Sequence, residues 1–252
     1  MKRISIYLIL LSVQLSILHA QTAEIPAVPV SRMLVGVGHT DVLDTYLSPY
    51  SYDGIRLDLV FDKRYTHTLH RFELHGSATE NPAGNVNEYE GGVAYSVAHL
   101  YALWSAERFS ISAGPMGTVY AGCIYNERNG NNPAQAKLSL LGKCAAVARY
   151  GFDWLNRTFT IEYMAELPIL GLAYSPQFGQ SYYEEFSLGN YDHNCVFAHT
   201  LNTPSFTHHL LLEVPLRKSA IYFGYKGVTD QSKYNHLRYH SYNHSLLIGL
   251  KL

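Results

Sequence analysis

Residues 55–75 decide the fold, and they read IRLDLVFDKRYTHTLHRFELH. In the first half, apolar Ile55, Leu57 and Leu59 alternate with charged side chains, and the second half repeats the alternation after a polar turn at residues 62–64. Successive side chains of a β-strand point to opposite faces, so this period of two gives each strand one apolar and one charged face. The stretch therefore predicts a β-hairpin whose two faces meet different surroundings.

The same alternation recurs at regular intervals from Ser31 to Leu252. The obvious strands number eleven: 31–39, 54–62, 66–76, 89–103, 107–122, 136–150, 156–166, 193–200, 206–216, 219–227 and 236–252. Bacterial single-chain membrane barrels have an even number of strands. Separating residues 167–176 at Pro168 as a short strand gives twelve, which we expect, with ten as the alternative.

The connections between these strands alternate in length. Long connections fall at 40–53, 77–88 and 124–135, and short ones at 62–65, 104–107 and 151–156. This distribution is typical of an up-and-down outer-membrane barrel, which has long external loops and tight periplasmic turns. The predicted fold class is therefore all-β, an antiparallel up-and-down transmembrane β-barrel of about twelve strands.

Two segments fit this scheme less well. Residues 133–150 contain good helix formers, but Gly142 and the regular strand spacing favour a strand. With twelve strands, residues 177–192 become an unusually long periplasmic or inward-folded segment, and the tight turn at Arg217 and Lys218 lies on the periplasmic side.

The first 20 residues have the pattern of a secretory signal peptide: Lys2 and Arg3 precede an apolar run that ends near Ala20. We expect residues 1–20 to be this signal, 21–30 a short lead, and 31–252 a single β-barrel domain. After Ile17, no apolar run approaches the roughly 18–20 residues that a spanning helix needs. Membrane insertion would therefore require a barrel.

The composition is poor in charge and rich in tyrosine. Charged residues make up 15% of the chain, against about 25% in ordinary soluble proteins, and there are 21 Tyr. Without Lys2 and Arg3, the chain has 17 Lys and Arg against 20 Asp and Glu, which excludes a basic nucleic-acid surface.

The three cysteines have no zinc or disulfide spacing, and the hairpin places Cys123 opposite roughly residue 136.

Three motifs resemble an uncharacterised family of exported Bacteroidota proteins, the domain-of-unknown-function family thirty-three-sixteen. They are VLDTYLSP at residues 42–49, YNERNGNNPA at 125–134 and SPQFGQSYYE at 175–184. The similarity spans the chain after the signal peptide. The resemblance implies a predicted outer-membrane β-barrel with no assigned reaction, and it supplies no catalytic residues.

Charged side chains take the parity opposite to the apolar band, so in a barrel they would point into the lumen. The tyrosine- and glutamate-rich segment 179–185 is a further place for a ligand or a plug. The lumen or ligand candidates are Arg56, Asp58, Arg71, Glu73, Glu162, Glu166, Tyr182, Tyr183 and Glu184. They indicate either a compensating ionic network that fills the barrel or a polar binding cavity.

A catalytic alternative rests on His199, Asn202 and Ser205, which the predicted topology places at an outer hairpin tip. These residue types supply a base, an orienting group and a nucleophile for a lipid acyl hydrolase, although no nucleophile motif accompanies them. His236, His240 and His244 lie on one face of the last strand, but strand residues four apart are about 13 Å apart. We therefore predict no metal site and no cofactor.

The leading interpretation is a non-catalytic integral outer-membrane barrel, with small-solute passage or ligand binding in a polar lumen. The alternatives are the outer-membrane lipid acyl hydrolase and a soluble periplasmic all-β binding protein. The expected partners are outer-membrane lipid and, during insertion, the barrel-assembly machinery, with no nucleic acid.

Overall fold

The computed structural model describes residues 30–252, so the predicted signal peptide and nearly all of the lead at 21–30 lie outside the described residues. Within 30–252 the chain forms twelve strands and one π-helical turn, Tyr183–Ser187. The strands are β1 (Val30–Asp44), β2 (Tyr52–Arg64), β3 (Thr68–Glu80), β4 (Asn87–His99), β5 (Tyr101–Ser105), β6 (Phe109–Asn126), β7 (Ala134–Trp154), β8 (Arg157–Tyr174), β9 (Cys195–His199), β10 (Phe206–Pro215), β11 (Ala220–Tyr234) and β12 (Leu237–Lys251).

Ten of these strands close an antiparallel barrel. These ten are all the strands except β5 and β9. Each pairs with the next of the ten along the chain, so that β8 pairs with β10, and the pairing of β1 with β12 closes the ring. The short β5 continues β4 along the edge of β6, and the short β9 continues β10 along the upper half of β8. The prediction of an antiparallel up-and-down barrel is therefore confirmed, and the alternative count of ten describes the closed ring.

Two predictions about individual strands, at residues 133–150 and at 167–176, can be compared with the structure. Residues 134–154 are strand β7, as favoured over a helix. Residues 167–176 do not form a separate strand, because β8 runs through Pro168 to Tyr174. The ladder shifts register at Gly142 and Lys143, opposite Pro168, and such a bulge accommodates a residue without a backbone N–H.

Because β8 continues through Pro168, residues 175–194 lie at the end of the barrel opposite to Val30 and Lys251. We call the end that holds the two chain ends the turn end, since its connections at 65–67, 106–108, 155–156 and 216–219 are short. The opposite end is the loop end. The expectation of a periplasmic or inward-folded segment placed residues 177–192 at the same end as the turn at Arg217 and Lys218. The structure places them at the opposite end, so this part of the predicted topology is wrong.

The barrel is apolar outside and polar inside. Large apolar side chains lie exposed on the outer face, among them Val37, Ile55 and Leu57, each more than half exposed. Inside, charged side chains are packed between two buried apolar clusters near the turn end, one around Leu69 and Met164 and the other around Leu34 and Tyr222. The strand period of two thus separates the two environments, as the sequence pattern predicts.

No helix in residues 30–252 is long and apolar enough to cross a membrane.

Candidate functional site

The lower half of the lumen, toward the turn end, is filled by ion pairs. Arg71 contacts Asp62 at 2.7 Å and Glu166 at 2.8 Å, while Arg32 contacts Asp62 and Glu162, both at 2.7 Å. We call this cluster the ion-pair plug; its members are Arg32, Arg64, Arg71, Lys143, Arg149, Asp62, Glu162 and Glu166. The side chain of Arg71 is completely buried.

Each carboxylate of the plug is held by at least two cations. Glu162 accepts from Arg32, Arg64 and Arg149, at 2.7, 2.9 and 2.6 Å. Removing charges from water costs several kcal/mol per ion, so such a cluster persists only when the charges compensate one another. The plug therefore makes this part of the barrel a packed interior rather than an open channel.

A second group of ion pairs lies in the middle of the lumen. Asp58 accepts from Arg56 and Lys226, both at 3.2 Å, and from the hydroxyl of Ser245 at 2.6 Å. Lys226 also contacts Glu73 at 2.8 Å. These charges are again mutually satisfied.

Two adjoining cavities lie above the plug. The central cavity has a volume of about 140 Å³ and is floored by Lys143 and Glu166 of the plug. The upper cavity, nearer the loop end, has a volume of about 80 Å³. Tyr120, Asp230 and Tyr239 line both cavities, so the two adjoin each other under the loop end.

The carboxylates on the walls of these cavities differ in how well they are paired. Asp44 pairs with Lys137 at 2.5 Å and accepts from the Tyr46 N–H at 3.0 Å, whereas Asp230 accepts, among residues 30–252, from the hydroxyl of Ser205 alone, at 2.8 Å. The Glu90 Oε1 atom accepts from the Tyr239 hydroxyl at 3.0 Å, but its Oε2 is buried without a hydrogen-bond partner in the part of the chain that the structure describes. Among residues 30–252, Glu90 and Asp230 therefore have no Lys or Arg partner, in contrast to the carboxylates of the plug.

Residues 175–194, which we call the lid, pack across the loop end. The Tyr46 hydroxyl, beside β1, donates to the Gln180 carbonyl at 2.8 Å, and the Ala136 N–H of β7 donates to the Tyr182 hydroxyl at 2.6 Å. The Asn235 amide, in the β11–β12 turn, donates to the Ser175 carbonyl at 3.0 Å. The lid is thus attached at several points around the rim.

The centre of the lid is a buried carboxylate. Glu185 is fully buried, accepts from the Asn194 amide at 2.7 Å and contacts the Tyr174 hydroxyl. Burial, with the nearby carboxylates of Glu185 and Asp44, raises the pKa of Tyr46 to about 12. Burial also raises the pKa of Tyr182. Both phenols therefore remain protonated donors well above neutral pH.

The structure places six of the predicted residues inside the barrel, and only some of the lid residues near the lumen. Arg71, Glu162 and Glu166 belong to the plug, and Arg56, Asp58 and Glu73 to the middle group. In the lid, Tyr182 faces the barrel, whereas Tyr183 is 66% exposed and Glu184 accepts locally from Ser181.

Sequence reasoning missed several residues that complete these clusters. Arg32, Asp62 and Lys226 have the same inward parity as the residues that were selected, so that signal identifies them as well. Glu90 and Asp230 also share it. Glu185 had no such signal, because the lid has no period of two.

The three residues of the catalytic alternative do not assemble. Strands β9 and β10 follow one another along the same edge of β8, and residues 200–205 connect them. These residues therefore do not form the hairpin tip that the sequence predicts. The His199 Nδ1 accepts from the Leu201 N–H at 3.2 Å, and the Asn202 amide donates to the Phe197 carbonyl at 2.9 Å. The Ser205 hydroxyl donates to Asp230 rather than to His199.

In residues 30–252, no group of three or more His, Cys, Asp or Glu side chains could hold a metal ion. The three cysteines are free, and Cys123 pairs with Ala136 in the β6–β7 ladder.

The fold and the interior define a closed ten-strand antiparallel β-barrel with an occluded polar lumen. The chain belongs to the family described as "Protein of unknown function (DUF3316)", whose model matches residues 5–251. This match confirms the family that the three sequence motifs indicate. No curated protein matches the chain in sequence.

The chain is similar to two solved structures of outer-membrane proteins. The outer membrane protease OmpT from Escherichia coli is 7% identical, with 92% of this chain and 99% of that chain covered and a TM-score of 0.47. The transport unit of the autotransporter AIDA-I from Escherichia coli is 7% identical, with 88% and 89% covered and a TM-score of 0.40.

Proposed function

We propose that this protein is a non-catalytic integral outer-membrane β-barrel, exported by a signal peptide at residues 1–20, whose closed polar lumen binds a small solute. The observation that carries the proposal is the inverted distribution of side chains. Ile55 and Leu57 are 64% and 56% exposed on the outer face, while Arg71 inside is 1% exposed. Water disfavours such an outer surface, whereas lipid stabilises it.

Aromatic side chains near the turn end support the membrane placement. Both tryptophans of the chain, Trp104 and Trp154, lie there and are more than half exposed. They pack against Phe109 and Phe159, with ring centroids 5.3 and 5.4 Å apart. Girdles of this kind mark membrane–water interfaces, where an amphipathic ring is favoured.

The packing of the lumen supports solute binding rather than free passage. The ion-pair plug fills the turn end and the lid crosses the loop end, with the two cavities between them. Because the cavities lie between the plug and the lid, a solute would enter from the loop end by passing the lid. In this proposal the protein contacts outer-membrane lipid and is inserted by the barrel-assembly machinery.

Cell fractionation tests the membrane placement. The protein is expected to stay in the membrane pellet after carbonate and high-salt washes, to require detergent for extraction, and to migrate differently on a gel before and after heating. Release by carbonate alone would favour a soluble periplasmic protein and overturn the proposal.

Planar-bilayer recording tests the closed lumen. Purified wild-type protein is expected to insert without a steady single-channel conductance, because the plug leaves no continuous water path. A stable open-channel current in the wild type would show that the lumen conducts and would overturn the binding role proposed for it.

A further inference from the structure

We propose that the central cavity binds a small organic cation, an ammonium or guanidinium group. This inference rests on the proposed role of the lumen as a ligand compartment, and it names the chemical class of the ligand. It follows from the charge, the aromatic walls and the size of that space.

The charge of the walls is the first argument. The cations that line the central cavity are already engaged by carboxylates: Arg56 by Asp58, Lys143 by Glu166, and Lys226 by Asp58 and Glu73. In residues 30–252, no Lys or Arg forms an ion pair with Glu90 or with Asp230. His75, 3.8 Å from Glu90, is its nearest basic neighbour. The central cavity is thus lined by four carboxylates, Glu73, Glu90, Glu166 and Asp230, against three Lys and Arg side chains.

The unpartnered oxygen of Glu90 is the second argument. Glu90 is 6% exposed, lines the central cavity, and keeps one buried oxygen without a donor. A buried acceptor without a partner costs about 1–3 kcal/mol, and more when it is charged. An N–H donor that carries positive charge would remove this cost and form a charge-assisted hydrogen bond.

The tyrosine rings are the third argument. Tyr239 lines both cavities, and the ammonium of Lys137 already lies over its ring, 3.9 Å from the centroid. One face of the Tyr239 ring thus already binds a cation of the protein, and the ligand would use the other face. Tyr120 forms the opposite aromatic surface, stacked on His75 with ring centroids 5.8 Å apart.

Two glycines make room for Tyr120. Gly92 and Gly122 face its ring, and a Cβ at either position would overlap its hydroxyl. The sequence thus keeps small residues where this aromatic wall needs space. Two rings and two carboxylates around one cavity form a typical recognition site for an organic cation.

The size limits the ligand. A space of about 140 Å³, with about 80 Å³ beside it, accepts a ligand of a few heavy atoms. Propylammonium fits this description, and 1-propanol matches its shape without its charge. A bare inorganic cation would gain the carboxylates but little from the apolar wall of Leu141 and Val228.

The experiment is calorimetric titration of full-length protein, refolded in detergent, with propylammonium, 1-propanol and potassium ions at constant ionic strength. We expect saturable binding of propylammonium alone. Glu90→Gln, which keeps the shape but removes the charge, should weaken binding about tenfold or more. The control Glu80→Gln, at an exposed loop-end position, should bind as the wild type does.

A pair of variants at position 239 separates the ring from the hydroxyl. Tyr239→Phe keeps the aromatic face and should retain most of the affinity, whereas Tyr239→Leu should lose it. Heat-modifiable migration of each variant verifies that the barrel is folded. Equal binding of 1-propanol, equal binding by Glu90→Gln, or no binding of propylammonium by folded wild type would each overturn the inference, and potassium binding of equal strength would too.

Failure here is distinguishable from failure of the proposed function. Absence of propylammonium binding, with the protein still in the membrane fraction and silent in bilayers, overturns only the ligand class. Extraction by carbonate or an open-channel current overturns the outer-membrane or closed-lumen proposal whatever binds.

Discussion

At the scale of single residues, the most constrained side chain is the buried Arg71. It joins Asp62 and Glu166 and also contacts His209 at 3.2 Å. Its removal would leave two carboxylates in the interior with fewer cations. Breaking a buried ion pair costs about 3–5 kcal/mol, because the remaining charge has lost its partner.

We therefore expect Arg71→Ala to lower the free energy of unfolding by about 3–5 kcal/mol in urea titrations of the refolded barrel. The matched control is Arg108→Ala. Arg108 pairs with Asp153 at 2.9 Å, but both side chains are more than half exposed, so the expected loss is at most about 1 kcal/mol. Equal losses in the two variants would contradict the assignment of Arg71 to a dry interior.

Ser205 gives a second prediction at this scale. Its hydroxyl donates to Asp230 and accepts from the Gln231 N–H at 3.0 Å, an arrangement that holds the interruption between β9 and β10 against β11. Ser205→Ala should therefore reduce stability by about 1 kcal/mol. Fatty-acid release from phospholipid should stay at background in both wild type and variant. Release by the wild type that Ser205→Ala abolishes would restore the hydrolase alternative.

The period of two predicts which residues point inward, and its success depends on regular strands. It selects Arg56 and Glu162 correctly as inward side chains, and it also selects Arg32 and Asp62, which the sequence reading left out. In the lid the period is absent. Tyr182 and Tyr183 are chemically alike, and only the tertiary contact with Ala136 distinguishes the buried ring from the exposed one.

At the scale of elements, the lid depends on protonated phenols. Burial, then Glu185, Asp44 and Glu184, raises the pKa of Tyr46 to about 12, above the value of about 10 for a free tyrosine. Because the pKa of Tyr46 is higher in the folded than in the unfolded state, the protonated phenol contributes its full stabilisation below about pH 10. This stabilisation is lost as the pH rises through about 12.

The measurement is a spectrophotometric tyrosine titration of the wild type and of Tyr46→Phe. The difference between the two curves should have its midpoint near pH 12. Tyr183→Phe, which removes an exposed phenol of the lid, is the control for the loss of one tyrosine. A midpoint near pH 10 for Tyr46 would mean that the lid leaves this ring in water.

Strand existence could be predicted from the sequence, but strand continuity could not. The alternation in 133–150 correctly outweighs its helix formers. Pro168 misled the division of β8, because the bulge opposite it, at Gly142 and Lys143, is a property of the ladder and has no local sequence signal. Because the prediction ended this strand at Pro168 and began another there, it also placed residues 177–192 at the turn end, whereas they lie at the loop end.

At the scale of the whole molecule, the lumen is divided along its axis. The plug near the turn end has five basic side chains against three carboxylates, whereas Glu90 and Asp230 in the central cavity have no Lys or Arg partner among residues 30–252. The sequence predicts that charges face inward but not this division, which depends on the register that brings Arg71 of β3 beside Glu166 of β8. Non-local pairing of this kind is not encoded in any single strand.

The free cysteines offer a test of how the whole barrel lies in the membrane. Cys144 is exposed on the outer face in the middle of β7, opposite Leu167, and Cys195 is exposed at the loop end, where β9 begins. In the proposed orientation lipid covers Cys144, while Cys195 faces the outside of the cell. A bulky, membrane-impermeant maleimide should therefore distinguish them in intact cells.

We expect a variant that keeps only Cys195 to be labelled in intact cells, and one that keeps only Cys144 to be labelled only after denaturation. Serine replaces the other cysteines in each variant, and heat-modifiable migration serves as the control for folding. Labelling of Cys195 only after the outer membrane is permeabilised would invert the orientation. Labelling of Cys144 in intact cells would contradict a lipid-facing outer surface, because a thiol in the hydrocarbon region lies beyond the reach of a water-soluble reagent.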